Sequence, residues 1–322
     1  MVENDAVTTL TTERAAVRRN SEGSRTARRR TRGTRGDTWV ATLLISPAIL
    51  AFTVFAIVPI LGGLALSFFE WDLFGTPVFV GMDNFARLVT DTRMWQSLGV
   101  TASFVVLGVA PTILLGFLLA VVVNVRMPGI GGWRVLYFAP MLASAAVSAV
   151  LWASIYNGRS GVLNQLLALF GVMGPNWLSD PFWAQPALVI IMIWSALPLV
   201  IILYMAALQR IPEDIYSAAA LDGAGKWRTL WSITWPSVRS ATVLIAILQA
   251  VGFVGGAFEL ALIMTDGGPL GRTESLALYA YKVAFGQLEM GYSSALSLFQ
   301  LVAIAVLVLI GRLVTRLMRS AG

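Results

Sequence analysis

The densest grouping of chemically informative residues lies at 210–236. It opens Arg210-Ile211-Pro212-Glu213-Asp214-Ile215-Tyr216 and ends Ile233-Thr234-Trp235-Pro236. Pro212 suits a first helical turn, and Glu213 and Asp214 favour the positive end of a helix dipole. Ile215 to Leu221 continues a helix, Gly223 is a natural C-terminal cap, and a second short helix runs from Lys226 until Pro236 stops it. Two helices meeting at a sharp corner form a rigid knob, a shape suited to a partner's groove. A second candidate is Glu259, the one charged side chain inside the predicted membrane spans, where charge usually marks function. Nucleotide binding is not expected. A phosphate loop needs Gly-x-x-x-x-Gly-Lys-Ser/Thr, and around Gly225-Lys226 the first glycine is Ala220 and the hydroxyl position is Trp227. With no Cys and no His, the chain also lacks disulfides, thiol nucleophiles, thiolate metal sites and the commonest general base. No catalytic residue, metal site or cofactor is expected.

The elements that must position these residues follow from composition. Of 322 residues 57% are hydrophobic and 12% are charged, about half the charge that a water-facing surface carries. An integral membrane protein is the class that remains. Uncharged runs at Thr38–Phe69, Met94–Val125, Val135–Gly158, Pro181–Gln209, Ser240–Phe258 and Met290–Gly311 each reach or approach the roughly 20 residues a helix needs to cross. They lack the alternation of a membrane barrel. The expectation is therefore an all-α membrane protein with six transmembrane helices, at about 39–69, 97–125, 135–157, 185–209, 240–264 and 291–311. Ser160–Ser179 is also uncharged, but Asn164, Gln165, Gly171, Gly174, Pro175 and Asn176 interrupt it, so it reads as a surface or interfacial helix. With six spans and the N-terminus inside, 18 basic residues fall on the cytoplasmic side and five outside: Arg87, Arg93, Arg159, Arg272 and Lys282. A seventh span would spoil that asymmetry, so the positive-inside rule favours six spans with both termini cytoplasmic. Residues 1–37, rich in Arg, Thr, Ser and Gly, read as a disordered basic cytoplasmic tail touching anionic lipid rather than nucleic acid. Arg28-Arg29-Arg30 does not read as a signal, because the apolar run that follows is too long and no cleavage site ends it.

Within the loop at 210–239, Ser217-Ala218-Ala219, then Asp222-Gly223, then Ile233–Pro236 resemble the Glu-Ala-Ala motif of ABC-importer permeases. The wider string from Ile211 through Ala224 is similar to the carbohydrate-uptake branch, the maltose-transporter-type, binding-protein-dependent permeases. Phe79-Val80-Gly81-Met82-Asp83-Asn84-Phe85, Met264-Thr265-Asp266-Gly267-Gly268-Pro269 and Ala284-Phe285-Gly286 agree with it, so the resemblance covers about residues 45–315. The motif's acid is Ser217 here, a departure that removes any ion pair the family makes from that position.

The resemblance implies a type I ABC-importer permease fold in the cell membrane, part of the translocation pathway of an ATP-driven sugar importer. The knob becomes the coupling helix, with Glu213, Asp214, Ser217, Ala218, Ala219, Asp222 and Gly223 facing a separate ATPase. Expected partners are a second homologous permease, an ATPase dimer, an extracytoplasmic solute-binding protein and the carbohydrate itself. ATP hydrolysis would occur on another subunit, so this chain is not itself an enzyme. Sugars call for amides, hydroxyls and aromatic faces, and the resemblance points to the fourth and fifth spans. The candidates there are Trp194, Ser195, Gln249, Phe253 and Glu259, with Tyr156 and Asn157 of the third span in reserve. A permease for glycerol-phosphate-type solutes is the nearest alternative. A standalone secondary transporter is opposed by the lack of buried acid or His relays.

Overall fold

The computed structural model describes residues 35–124 and 138–320. Within them nearly every long apolar run is helical, because a backbone in hydrocarbon must satisfy its own hydrogen bonds. Contacts divide the chain into two units, Met1–Ile60 and Leu61–Gly322. The first holds α1 (Arg35–Phe52), which contains Pro47, and a π turn at Thr53–Ile57, where the Thr53 hydroxyl donates to the Ile49 carbonyl at 2.8 Å. Helix α2 (Val58–Leu66) follows. The tail expected at 1–37 lies, up to residue 34, outside the described residues, as do Arg126 and Arg134.

The second unit is a helical bundle centred on α4, α7 and α11. After a two-stranded hairpin, β1 (Phe69–Glu70) and β2 (Val78–Phe79), come α3 (Asp83–Thr90) and α4 (Thr92–Asn124). Next are α5 (Ala145–Ile155), α6 (Val162–Leu169) and α7 (Ala184–Leu208). The loop at 210–239 carries α8 (Glu213–Leu221), α9 (Lys226–Thr229) and α10 (Trp235–Ser237). The last elements are α11 (Arg239–Met264), α12 (Leu276–Tyr281) and α13 (Met290–Ser320).

Lipid tails give apolar helices no hydrophobic reason to associate, so close packing must hold the bundle together. Glycines allow that approach. A Cβ on Gly108 of α4 would lie 1.8 Å from the Phe253 ring of α11, and one on Gly116 would lie 2.4 Å from Val200 of α7. Gly311 of α13 makes the same room for Ile247. One buried cluster joins Phe104, Leu188, Ile191, Phe253 and Ala257, and another joins Phe117, Val200, Tyr204 and Ile245. The Tyr204 hydroxyl donates to Thr242 at 3.1 Å, tying α7 to α11.

Five helical stretches among the described residues are long and apolar enough to cross a membrane: Thr42–Leu66, Thr92–Asn124, Ala184–Leu208, Arg239–Met264 and Met290–Leu317. The third predicted span, 135–157, differs from a plain helix. Its described part is helical at 138–142, breaks at 143–144, and resumes as α5, whose N-terminus Ser144 caps by accepting from the Val147 N–H at 3.3 Å. Pro140 lies just ahead of the break. The uncharged Ser160–Ser179 stretch contains only the eight-residue α6, about 12 Å long and too short to cross. Its polar residues fold it back on itself: Asn164 donates to the Gly158 and Pro175 carbonyls and accepts from Trp177 Nε1 at 2.7 Å.

Where α3, α4, α12 and α13 meet, Asp91 accepts from the Tyr279 hydroxyl at 2.7 Å and the Tyr292 hydroxyl at 2.5 Å. It also accepts from the Arg93 and Met94 N–H groups that open α4. Burial pushes the Asp91 carboxyl up, but these four donors outweigh it and hold it below the ordinary aspartate value.

Candidate functional site

Two regions bring the predicted residues together, one at the loop end of α7 and α11 and one along the middle of these helices. The first is the loop between α7 and α11. Pro212 has an extended ψ of 137° ahead of α8, and Glu213 and Asp214 occupy the first turn. The helix ends as the sequence suggests. Gly223 takes φ +73°, its N–H donates to the Ala220 carbonyl at 3.1 Å, and the Ala224 N–H reaches back to the Ala219 carbonyl at 2.9 Å. That hydrogen-bond pair is a Schellman cap. No atom lies near a would-be Cβ on Gly223, so the positive φ alone demands glycine there.

Pro236 does not stop the second helix. A π turn over Leu230–Thr234 carries the chain from α9 into α10, whose first residues include Pro236. At the end of that turn the Trp235 N–H bonds to the Leu230 carbonyl. In that wider spacing the missing proline N–H breaks no regular ladder, and the helical run ends at Val238 instead.

Glu213, Asp214, Ser217, Ala218, Asp222 and Gly223 are exposed on the loop, whereas Ala219 is buried. The Ser217 hydroxyl bonds back to the Glu213 carbonyl at 3.2 Å. Tyr216 and Thr234 bridge the two loop helices through their hydroxyls at 3.3 Å. A further device escaped the sequence reading: Trp227, Trp231 and Trp235 recur at helical spacing and form a ladder. Ring centroids step by 5.8 Å and 5.9 Å, then by 4.7 Å from Trp235 to Phe117 and 5.6 Å from Phe117 to Tyr204. The ladder runs from the exposed Trp227 into the core shared by α4 and α7.

The second region is a cleft of about 250 Å³ walled by three helices. Ser148 faces it from α5, Ser195 and Met192 from α7, and Gln249, Phe253 and Glu259 from α11. Gly252 and Gly256 leave the α11 wall low, and the break at 143–144 borders the cleft through Ala143 and Ala145. Broken helices are tolerated at membrane depth where they line a cavity. Gln249 is 6% exposed, and its amide forms no hydrogen bond to any described residue. Because it fronts the cleft, water or a solute must meet it. Glu259 is ten residues further along α11, about 15 Å, and is exposed.

The remaining candidates sit differently. Phe253 touches the cleft wall, but its ring drives into the space left by Gly108 and is 2% exposed. Trp194 does not line the cleft; its ring meets Trp152 edge-on at 5.7 Å. In reserve, the Tyr156 hydroxyl donates to the Ala187 carbonyl at 3.0 Å, and Asn157 accepts from the Arg159 and Ser160 N–H groups. Both are committed to holding the fold. Ser148 and Met192 had not been picked out, since no periodicity shows which face of a wholly apolar helix turns inward. Among the described residues no group of acids could hold a metal ion.

Set against known proteins, residues 95–320 match the family described as "Binding-protein-dependent transport system inner membrane component". The trehalose/maltose transport system permease protein MalF of Thermococcus litoralis is 33% identical, over 81% of this chain and 88% of that protein. The lactose transport system permease protein LacF of Rhizobium radiobacter is 32% identical, over 82% and 90%. The crystal structure of a bacterial ABC transporter involved in the import of the acidic polysaccharide alginate shares the fold. Its TM-score is 0.75 at 22% identity, over 86% of this chain and 95% of that one.

Proposed function

The chain belongs to the inner-membrane components of binding-protein-dependent transport systems, and from that premise we propose that it is the permease subunit of an ATP-driven carbohydrate importer. The observation that carries the reading is the family match over residues 95–320, together with relatives named as sugar permeases. The protein is a multi-pass membrane protein. Glycerol-phosphate uptake is not favoured, since these relatives are named for sugars.

We infer six crossings with both termini cytoplasmic. Five are made by the long apolar helices, and the sixth by the 135–157 stretch. In this arrangement the α7–α11 loop faces the cytoplasm. Its exposed residues Glu213, Asp214, Ser217, Ala218, Asp222 and Gly223 would seat in a separate ATPase dimer, while Ala219 lets α8 lie close to the bundle. The tryptophan ladder would carry ATPase closure into α4 and α7 as a rigid tilt, since rings packed edge to face or tilted against one another have little slack. A second, homologous permease would complete the pathway, and an extracytoplasmic binding protein would deliver the sugar at the Asp91 end. The basic tail would lie on anionic lipid of the inner leaflet. Neither cofactor nor catalytic residue is needed on this chain.

In the cleft, Ser195, Gln249 and Glu259 would exchange hydrogen bonds with sugar hydroxyls, with Ser148 beside them. Trp194 would act at one remove, by fixing Trp152 and α5.

The test is ATPase stimulation. The chain is co-purified with its partner permease, ATPase and binding protein, and hydrolysis is followed as candidate oligosaccharides are added. The reading expects several-fold stimulation by binding protein plus one class of sugar. Hydrolysis indifferent to every sugar and to the binding protein would contradict it.

A further inference from the structure

We propose that Glu259 is an electrostatic filter on the solute path, making the cleft selective for uncharged or cationic glycans and hostile to carboxylated, sulfonated or phosphorylated ones. The proposal rests on the importer reading for the identity of the path, and on the cleft itself for the field. Among the described residues Glu259 is the only formally charged one on the cleft wall; its neighbours there are Ala, Ser, Met, Gln, Gly, Phe and Leu. Its charge is not spent on an ion pair among the described residues. The basic side chains that do form such pairs take other acids: Arg87 takes Glu289 at 2.6 Å, Arg93 takes Glu274 at 2.9 Å, and Lys282 bridges Asp266 and Glu274 at 3.2 Å and 3.4 Å.

Position sharpens the argument. Glu259 belongs to α11, a helix long and apolar enough to cross the membrane, and lies five residues before its end at Met264. An acid at such a place is tolerated where it lines water-filled space. Low-dielectric walls around a wet cleft then strengthen the field of that charge along the path. A carboxylate also accepts hydrogen bonds on both oxygens and donates none, so it matches neighbouring hydroxyls or an ammonium group. A solute anion meets repulsion and finds no cation among the described wall residues to offset it. Gln249, Ser195 and Ser148 supply the neutral hydrogen bonds deeper in the cleft, while Glu259 both accepts from sugar hydroxyls and repels anions.

The chain's lack of cysteine makes the field measurable without knowing the solute. Ser195 faces the cleft from α7, so Ser195→Cys places one thiol across from α11. The purified transporter, with partner-subunit cysteines replaced, is treated with a trimethylammonium-bearing or a sulfonate-bearing methanethiosulfonate, and the rates on this chain are followed by intact mass. The two reagents' rates with free cysteine in solution normalise the intrinsic difference between them. The same pair of rates is then taken in Ser195→Cys with Glu259→Gln, which keeps shape and removes charge. A single charge in a partly wet site acts in opposite directions on cation and anion, so its removal changes such a ratio by about tenfold. The filter predicts that the cation-to-anion rate ratio falls about tenfold on Glu259→Gln. A ratio unchanged within about twofold overturns it, as does a thiol that neither reagent reaches with or without ATP. The importer reading fails separately, on the ATPase measurement, and this ratio does not depend on that result.

Discussion

The loop between α7 and α11 and the cleft along α11 are built in opposite ways. Every feature that shapes the loop lies within about 25 residues of sequence: Pro212 before α8, the acids of its first turn, the Gly223 cap and the π turn before Pro236. The cleft exists only because α5, α7 and α11 come together, drawing on residues from 143 to 260. A loop of the first kind survives as a unit and changes pose as a unit, which suits a transmission part. A cleft of the second kind opens or closes with any tilt of its walls, which suits a gated path. The difference teaches where single substitutions act: in the loop they should disturb coupling and spare the bundle, and in the cleft they should disturb either packing or solute but rarely both.

The strongest way to break that division is at the helix contact behind the cleft. Gly108→Val puts a branched side chain where the Phe253 ring already sits. Overpacking of this kind costs about 1–3 kcal/mol or more. Folded yield and the detergent unfolding midpoint should both fall, with coupling lost only as a consequence. Next comes the loop corner. Gly223→Val forces a β-branched residue to φ +73°, at a cost of about 1–2 kcal/mol held locally. Sugar-stimulated ATPase should drop several-fold while the unfolding midpoint of the bundle stays put. A midpoint lowered as far as in Gly108→Val would show that the corner is not local.

Gln249→Ala sharpens the cleft side. Losing one neutral hydrogen bond to a solute is worth about 0.5–1.5 kcal/mol, so half-saturating sugar should rise about three- to tenfold with yield unchanged. A lowered yield with unaltered uptake would turn Gln249 into a packing residue. The smallest effect concerns Asp91, in neither region. Its carboxyl is held below the ordinary aspartate value near 3.8 by four donors. Its stabilising contribution is therefore complete above that value and lost as pH falls through the lower native one. Asp91→Asn should be less stable at neutral pH and should flatten the acid limb of the stability profile below about pH 4. An unchanged acid limb would remove Asp91 from the account.

The same contrast explains what sequence could reveal. Gly223 was readable as a cap because a Schellman turn depends on a few consecutive residues, and Gln249 and Glu259 stood out as polar groups in apolar helices. The position of Pro236 inside a helix was not readable, since the π turn that accommodates it leaves no compositional mark. Ser148 and Met192 stayed hidden because α5 and α7 are apolar on every side, and only packing decides the inward face. Trp194 was a substrate-path candidate on residue type, and its ring turns to Trp152. The break at 143–144 was signalled only by Pro140, inside a run otherwise apolar enough to read as continuous. The ladder of Trp227, Trp231 and Trp235 was present as a four-residue spacing, but its continuation to Phe117 joins residues more than 100 apart.

The central claim, that the chain borrows the energy of ATP to move a carbohydrate, is tested most directly in sealed proteoliposomes holding the assembled transporter. Uptake of the stimulating sugar, delivered by its binding protein, is measured with and without ATP at the ATPase face and with and without a protonophore. The account predicts accumulation that requires ATP and ignores the protonophore. Accumulation that proceeds without ATP and collapses with the proton gradient would contradict it.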